Sequence, residues 1–211
     1  MPRSTIDELA LADEPEHWRA LGFAVSGDSC RLGTVRMRLA GVAAGRGIVG
    51  WSLRGVLSTE LDGLPTRRSE GAENPTTPAA AHRNGVLGID HVVAISPSLD
   101  RTVRALQEAG LDLRRRREEP TPAGAPRQAF FRLGEVILEV VQEPDEVLER
   151  SGGPERPAFF WGLALRAPDL ERTVEEMGAG VGSIRPAVQP GRRIATLRRS
   201  AGLAVPVALM S

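Results

Sequence analysis

Hydrophobic and polar positions repeat one phrase along this chain: an apolar, β-branched run, a run with helical spacing that ends at glycine, then several short strand-like runs. The phrase is clearest between residues 87 and 142. Residues 87–95 are apolar and rich in Val and Ile, which predicts a strand. A Ser-Pro pair follows, and Leu99, Val103 and Leu106 recur at helical spacing up to Gly110, which supplies a stop. Residues 111–116, 128–133 and 136–141 then read as three short strands, so the predicted unit is βαβββ.

Weaker copies flank it. Residues 5–11 predict a strand, and Asp13 as N-cap, Pro15 in the first turn and Gly22 as stop predict a helix. Strands are expected over 23–25, over 31–39, where Val35, Met37 and Leu39 alternate with arginines, and over 48–56. After residue 158 the phrase returns as a strand over 159–165, a capped helix over 167–178, and strands near 184–188, 193–198 and 203–210. The expected division is a degenerate amino-terminal module (1–57), a disordered Pro/Ala/Thr-rich linker (58–85), a central module (86–142), a polar connector (143–157) and a carboxyl-terminal module (158–211). His82 falls in the linker and reads as a solvated loop residue.

The copies align residue against residue, which changes the fold expected. Residues 98–103 lie over 169–174 without a gap, with a proline one residue earlier in each, and that register sets His91 opposite Gly162. Matching Gly134 to Gly202 sets Glu139 opposite Val207. In the first copy, Ile6-Asp7-Glu8 over Ile89-Asp90-His91 sets Glu8 opposite His91, and a shared Arg-Leu-Gly sets Arg38 opposite Glu139.

Composition narrows the classes. Formal net charge is zero, which gives no reason to expect nucleic acid or an acidic membrane as partner. All 27 basic residues are arginine. Cys30 is the single cysteine, so an intramolecular disulfide is impossible, and without an obvious base nearby it reads as a free thiol. With no apolar signal core at its start and no run near the ~20 apolar residues of a membrane span, the chain is expected to be cytoplasmic.

A repeated βαβββ unit with a histidine in its first strand and a glutamate in its last resembles the vicinal oxygen chelate superfamily, the glyoxalase, bleomycin-resistance and extradiol dioxygenase group. The residues that carry the resemblance are Ile89-Asp90-His91-Val92-Val93 and Val136-Ile137-Leu138-Glu139-Val140, joined by Leu99-Asp100-Arg101-Thr102-Val103. It is good over 87–142, fair over 159–210 and thin over 5–56. It implies an α+β fold whose βαβββ modules pair into a curved half-barrel sheet, helices outside, around a cleft that in many members holds a divalent metal.

On that resemblance His91 and Glu139 match the ligand positions for Fe, Zn, Mn, Ni or Co, and Glu139 is the catalytic candidate. Glu8 joins them as a third ligand if the first module pairs with the central one, with Arg38 then near the fourth position. If the carboxyl-terminal module pairs instead, two ligands remain, and His91 and Glu139 read equally as a relic joined by hydrogen bonding. Arg193 or its neighbour Arg192 suits a substrate carboxylate, and Trp161 and Phe131 are candidates for lining the cleft, against a competing reading as core. The arginine run 114–117 reads either as a solvated sheet edge or as an anion clamp. Two functions follow: a glyoxalase- or dioxygenase-like enzyme acting on a small carbonyl or diol compound, or a metal-free binding protein of the bleomycin-resistance type. Three modules in a fold that pairs them also leave room for a homodimer.

Overall fold

The computed structural model describes residues 4–70, 80–121 and 124–211. The first unit is β1 (Thr5–Leu11), α1 (Pro15–Ala20), β2 (Val25–Ser26), β3 (Ser29–Leu32) and β4 (Val35–Leu39), followed by β5 (Ile48–Arg54) and β6 (Thr66–Arg68). The second is β7 (Gly88–Ser96), α2 (Leu99–Glu108), β8 (Asp112–Arg117), β9 (Gln128–Leu133) and β10 (Val136–Gln142). After α3 (Asp145–Ser151) comes the third: β11 (Phe159–Arg166), α4 (Leu170–Met177), β12 (Arg185–Pro186), β13 (Arg193–Thr196) and β14 (Val207–Met210).

In every unit the first strand lies parallel to the fourth. β7 and β11 run antiparallel and join the second and third units into one eight-stranded sheet, ordered β12-β13-β14-β11-β7-β10-β9-β8. The first unit stands in a separate six-stranded sheet, β2-β3-β4-β1-β5-β6. There β5 is antiparallel to β1 and β6 is parallel to β5, the arrangement that β11 and β14 have beside β7. β5 and β6 thus stand as the first and last strands of a fourth, shortened unit. Both sheets are curved and open.

One irregularity recurs in all four first strands. Asp7 is left over between Ile6 and Glu8 in the pairing of β1 with β5, and Asp90 between Ile89 and His91 in the pairing of β7 with β11. On the partner strands Val49 and Trp161 are left over in the same way. Such bulges put two successive side chains near one face and bend the strand.

The faces divide by chemistry. On the eight-stranded sheet Ile89, Val92, Phe131, Leu138, Leu163 and Leu209 are fully or almost fully buried, with α2 packed over β8, β9 and β10 and α4 over β13. Leu99, Val103 and Leu106 are the buried stripe of α2, as their spacing predicts. Trp18 of α1 is fully buried, and its indole N–H donates to Asp13 at 3.1 Å. A continuous core joins the two sheets, with Trp51 of β5 edge-on to Phe160 of β11 at 4.9 Å between ring centroids.

Several elements differ from the sequence pattern. The run 31–39 is broken by a hairpin, because Gly33 (φ 60°) turns β3 into β4. Within the polar connector, α3 starts with Asp145 and Glu146 and stops at Gly152 in the left-handed region; none of its residues is buried, so no apolar spacing marks it. Asp13 caps nothing on α1 and instead accepts from Trp18 and from the Ala204 amide.

The stretch expected as a linker carries β6, and Asp62 within it anchors α2 through Arg101 and Thr102. Residues 71–79 lie outside the described residues. His82 is not solvated: it is buried, its Nδ1 accepts from the Ala24 amide and its Nε2 lies 3.0 Å from the Arg31 carbonyl. The arginines of β8 lie on a sheet edge, where Arg116 pairs with Asp100 and Glu118.

Candidate functional site

Directly paired residues share a face of a sheet. His91 stands beside Ile137, and Glu139 beside Val93 and Phe130, so the imidazole and the carboxylate project from the same open face of β7 and β10. Nε2 of His91 lies 3.5 Å from Oε2 of Glu139. The bulge brings Asp90 to the other nitrogen, its Oδ2 2.8 Å from Nδ1. Arg192 closes that end with both terminal nitrogens on Asp90, at 2.7 and 3.2 Å, and Gln128 closes the other by donating to Glu139 Oε1 at 2.5 Å. The result is a chain of polar contacts, Arg192–Asp90–His91–Glu139–Gln128, across the middle of the sheet.

Electrostatics divide the two carboxylates. Burial pushes the Glu139 carboxyl up, opposed by the His91 charge and the Gln128 hydrogen bond. Burial acts on Asp90 in the same sense, but hydrogen bonds from His91 and Arg192 outweigh it and hold that carboxyl well below the usual carboxylate range. An ionised Asp90 accepts Nδ1–H and leaves Nε2 directed at Glu139. Glu139 thus faces the second nitrogen of a ring whose first nitrogen is fixed by Asp90.

The other sequence candidates lie elsewhere. Glu8 holds the matching position on β1 in the other sheet, where Arg36 and Arg38 reach it at 2.7 and 3.0 Å; it does not meet His91. Phe131 is fully buried, on the face of β9 turned to α2, because alternation sends Phe130 and Phe131 to opposite sides. Arg193 pairs with Glu171 on the outer surface, while Arg192 reaches Asp90. Trp161, the bulge residue of β11, is 52% exposed. Cys30 is buried, its thiol pushed up to about 12 by that burial, which removes it as a nucleophile at neutral pH.

The register also moves one match. Gly162 does correspond to His91, but the β11–β14 pairing sets Ala208, not Val207, at the position of Glu139. The glycines used for that match stand at turns of different length, so the count slips by one. Neither Gly162 nor Ala208 offers a donor.

A resident divalent ion usually takes three or four protein ligands. Here His91 and Glu139 give two, Asp90 faces the far nitrogen of His91, and among the described residues no group of three or more His, Cys, Asp or Glu side chains comes together. This donor set does not fit a resident metal. A cleft of about 280 Å³ lies on the same face toward the β8 edge, lined by Ile137, Arg132, Asp112 and Arg114 and not by His91 or Glu139. His91, Ile137, Arg132 and Asp112 form one row across β7, β10, β9 and β8. Asp90, Gln128 and Arg132 carry no mark of a site residue in the sequence; of the two arginines that suit a substrate carboxylate, Arg192 and not Arg193 reaches the polar chain.

Paired βαβββ units, parallel first and fourth strands and an open curved sheet define the fold of the vicinal oxygen chelate superfamily, and this chain has that fold. Among solved structures, a xylose isomerase-like TIM barrel/4-hydroxyphenylpyruvate dioxygenase fusion protein matches 98% of this chain at 14% identity, with a TM-score of 0.61. The match spans 48% of that protein, about half its length. Methylmalonyl-CoA epimerase from Mycobacterium tuberculosis matches 60% of this chain and 88% of its own, at 19% identity and a TM-score of 0.47. The Streptomyces coelicolor epimerase in complex with 2-nitronate-propionyl-CoA matches 59% and 94%, at 19% identity and 0.46. No family model and no curated protein matches the chain. Among the described residues no helix is long and apolar enough to cross a membrane.

Proposed function

We propose that the chain acts on a small carbonyl or diol compound at the open face of β7 and β10, moving a proton with its own side chains, in the manner of a glyoxalase-type isomerisation. One observation carries this reading: His91 Nε2 faces Glu139 Oε2 at 3.5 Å while Asp90 fixes Nδ1. Glu139, its proton affinity raised by burial, takes a proton from the carbon beside the carbonyl and returns it to the neighbouring atom. Asp90 holds His91, the carboxylate's partner, in one tautomer. Arg132 donates Nε–H to the Gly134 carbonyl at 2.5 Å, and its terminal nitrogens have no partner among the described residues, so they are available to the oxygen that gains charge.

A second reading is supported by the same face. Ile95, Val141 and Phe130 flank the pair and are only partly buried, which suits a protein that sequesters an apolar ligand without converting it.

The test is solvent deuterium incorporation, followed by NMR, with chelator-treated protein and a panel of α-keto hemithioacetals, α-hydroxyketones and catechols. Exchange by the wild type that falls about 10²- to 10⁴-fold in Glu139→Gln supports proton transfer at this site. Exchange that Glu139→Gln leaves intact, or that requires added metal, overturns it. Saturable binding without exchange selects the second reading.

A further inference from the structure

A larger cleft, about 550 Å³, lies on the open face of the six-stranded sheet, away from His91. Its floor is small: Ala10, Gly50 and Ser52. One row of paired residues crosses it, Arg36 on β4, Glu8 on β1, Ser52 on β5 and Arg67 on β6. With neighbouring strands about 4.8 Å apart, the backbones of Arg36 and Arg67 stand about 14 Å apart. Two guanidinium groups reaching inward across that span leave room for a small ligand between them.

Among the described residues the charges there do not balance. Arg36 and Arg38 share the single carboxylate of Glu8. Asp7 is taken by Arg54 at 2.5 Å and by Ser69 at 2.6 Å. Arg68 donates to the Leu57 carbonyl at 2.9 Å, and Arg67 has no partner among the described residues. The remaining acid among the described lining residues, Glu70, is exposed at the rim. The register gives the imbalance a place: Arg38 holds the position that Glu139 holds in the other sheet, and Arg67 the position of Ala208. Where one sheet carries an imidazole and a carboxylate, the other carries guanidinium groups over a floor of small side chains. Such a cleft repels cations and suits oxygens of fixed negative charge, which arginine binds with two parallel hydrogen bonds.

We propose that this cleft is a second ligand site, for a small dianion such as inorganic phosphate or a short dicarboxylate, held between Arg36 and Arg38 on one wall and Arg67 on the other. Glu8 is the internal competitor that an incoming anion displaces from the two β4 arginines.

Calorimetric titration of the full chain with inorganic phosphate and, separately, with succinate, at constant ionic strength, tests it and tells the two chemistries apart. One-site saturable binding of either anion is expected. Arg67→Ala, an exposed position, weakens it about tenfold, the loss of one charge-assisted contact. Glu8→Gln, which frees both β4 guanidinium groups, tightens it. Arg104→Ala on the exposed side of α2 and Glu139→Gln on the other sheet leave it unchanged, so the result does not depend on the chemistry at His91. Absence of saturable binding by both anions, or equal losses in Arg67→Ala and Arg104→Ala, overturns the proposal.

Discussion

Glu8 and His91 occupy one position in two copies of the same bulged strand, and their neighbours have opposite sign: Glu8 lies 2.7 Å from Arg36, whereas His91 lies 3.5 Å from Glu139. A single backbone device, one extra residue before the third position of the strand, aims both side chains at the open face of their sheets. The chemistry differs because the fourth strand beside each carries arginine in one case and glutamate in the other.

Glu139→Gln is expected to stabilise the folded protein at neutral pH while removing proton transfer. Burial raises the Glu139 carboxyl in the folded state, so above its folded pKa the ionised form carries a desolvation cost that Gln does not. The gain shrinks as pH falls and vanishes below the unfolded value of about 4.3. Urea unfolding of both proteins between pH 4 and 8 measures it; an unchanged difference across that range counts against the assignment.

His82 should make stability fall on acidification. Burial lowers its pKa, against the opposing hydrogen bond to the Arg31 carbonyl, so the folded state holds a neutral ring while the unfolded chain takes up a proton near pH 6.5. Stability is therefore full above that pH and declines below it, with a slope approaching about 1.4 kcal/mol per pH unit. Denaturant midpoints at pH 7.5, 6.5 and 5.5 show the decline, and His82→Gln should flatten it.

Arg101→Ala should cost about 2 kcal/mol, since it strips the almost buried Asp62 carboxylate of its ion partner and leaves the Pro154 and Arg156 carbonyls without a donor. The loss reads out in thermal unfolding. A shift within scatter would mean that Thr102 alone satisfies Asp62.

Phe131→Ala should lower stability by about 3–5 kcal/mol, the usual cost of emptying a core aromatic site. Arg193→Ala, at an exposed pair, should change neither stability nor ligand binding measurably. Denaturation curves of the two variants, with titration of any ligand found in the exchange panel, separate core from cleft.

The strands and helix of the second unit were legible because strong apolar periodicity and glycine stops mark them: α2 ends two residues before Gly110, and β9 spans the predicted residues. Repetition also carried His91, Glu139 and the correspondence of Glu8 and Arg38. What it could not carry were contacts made by geometry across distant sequence. Arg192 reaches Asp90 over 102 residues, and only the bulge turns Asp90 toward His91. Arg192 and Arg193 look alike in a sequence, yet Arg192, in the turn before β13, reaches the site, and Arg193, the first residue of the strand, reaches Glu171 on the outside. β6 was hidden for another reason, since Thr66-Arg67-Arg68 has no apolar member to mark a buried face.

The place of β14 sets an order of events in time. Residues 207–210 form an interior strand between β13 and β11, and the nearby Ala204 amide reaches back 191 residues to Asp13 at the root of α1. During synthesis the first unit can gather its own strands, yet the wide sheet cannot close until residue 210 has been made, nor the Asp13 contact until Ala204 has. A nascent chain therefore passes through a stage with β11 unzipped on one side, an open strand edge exposed to other chains.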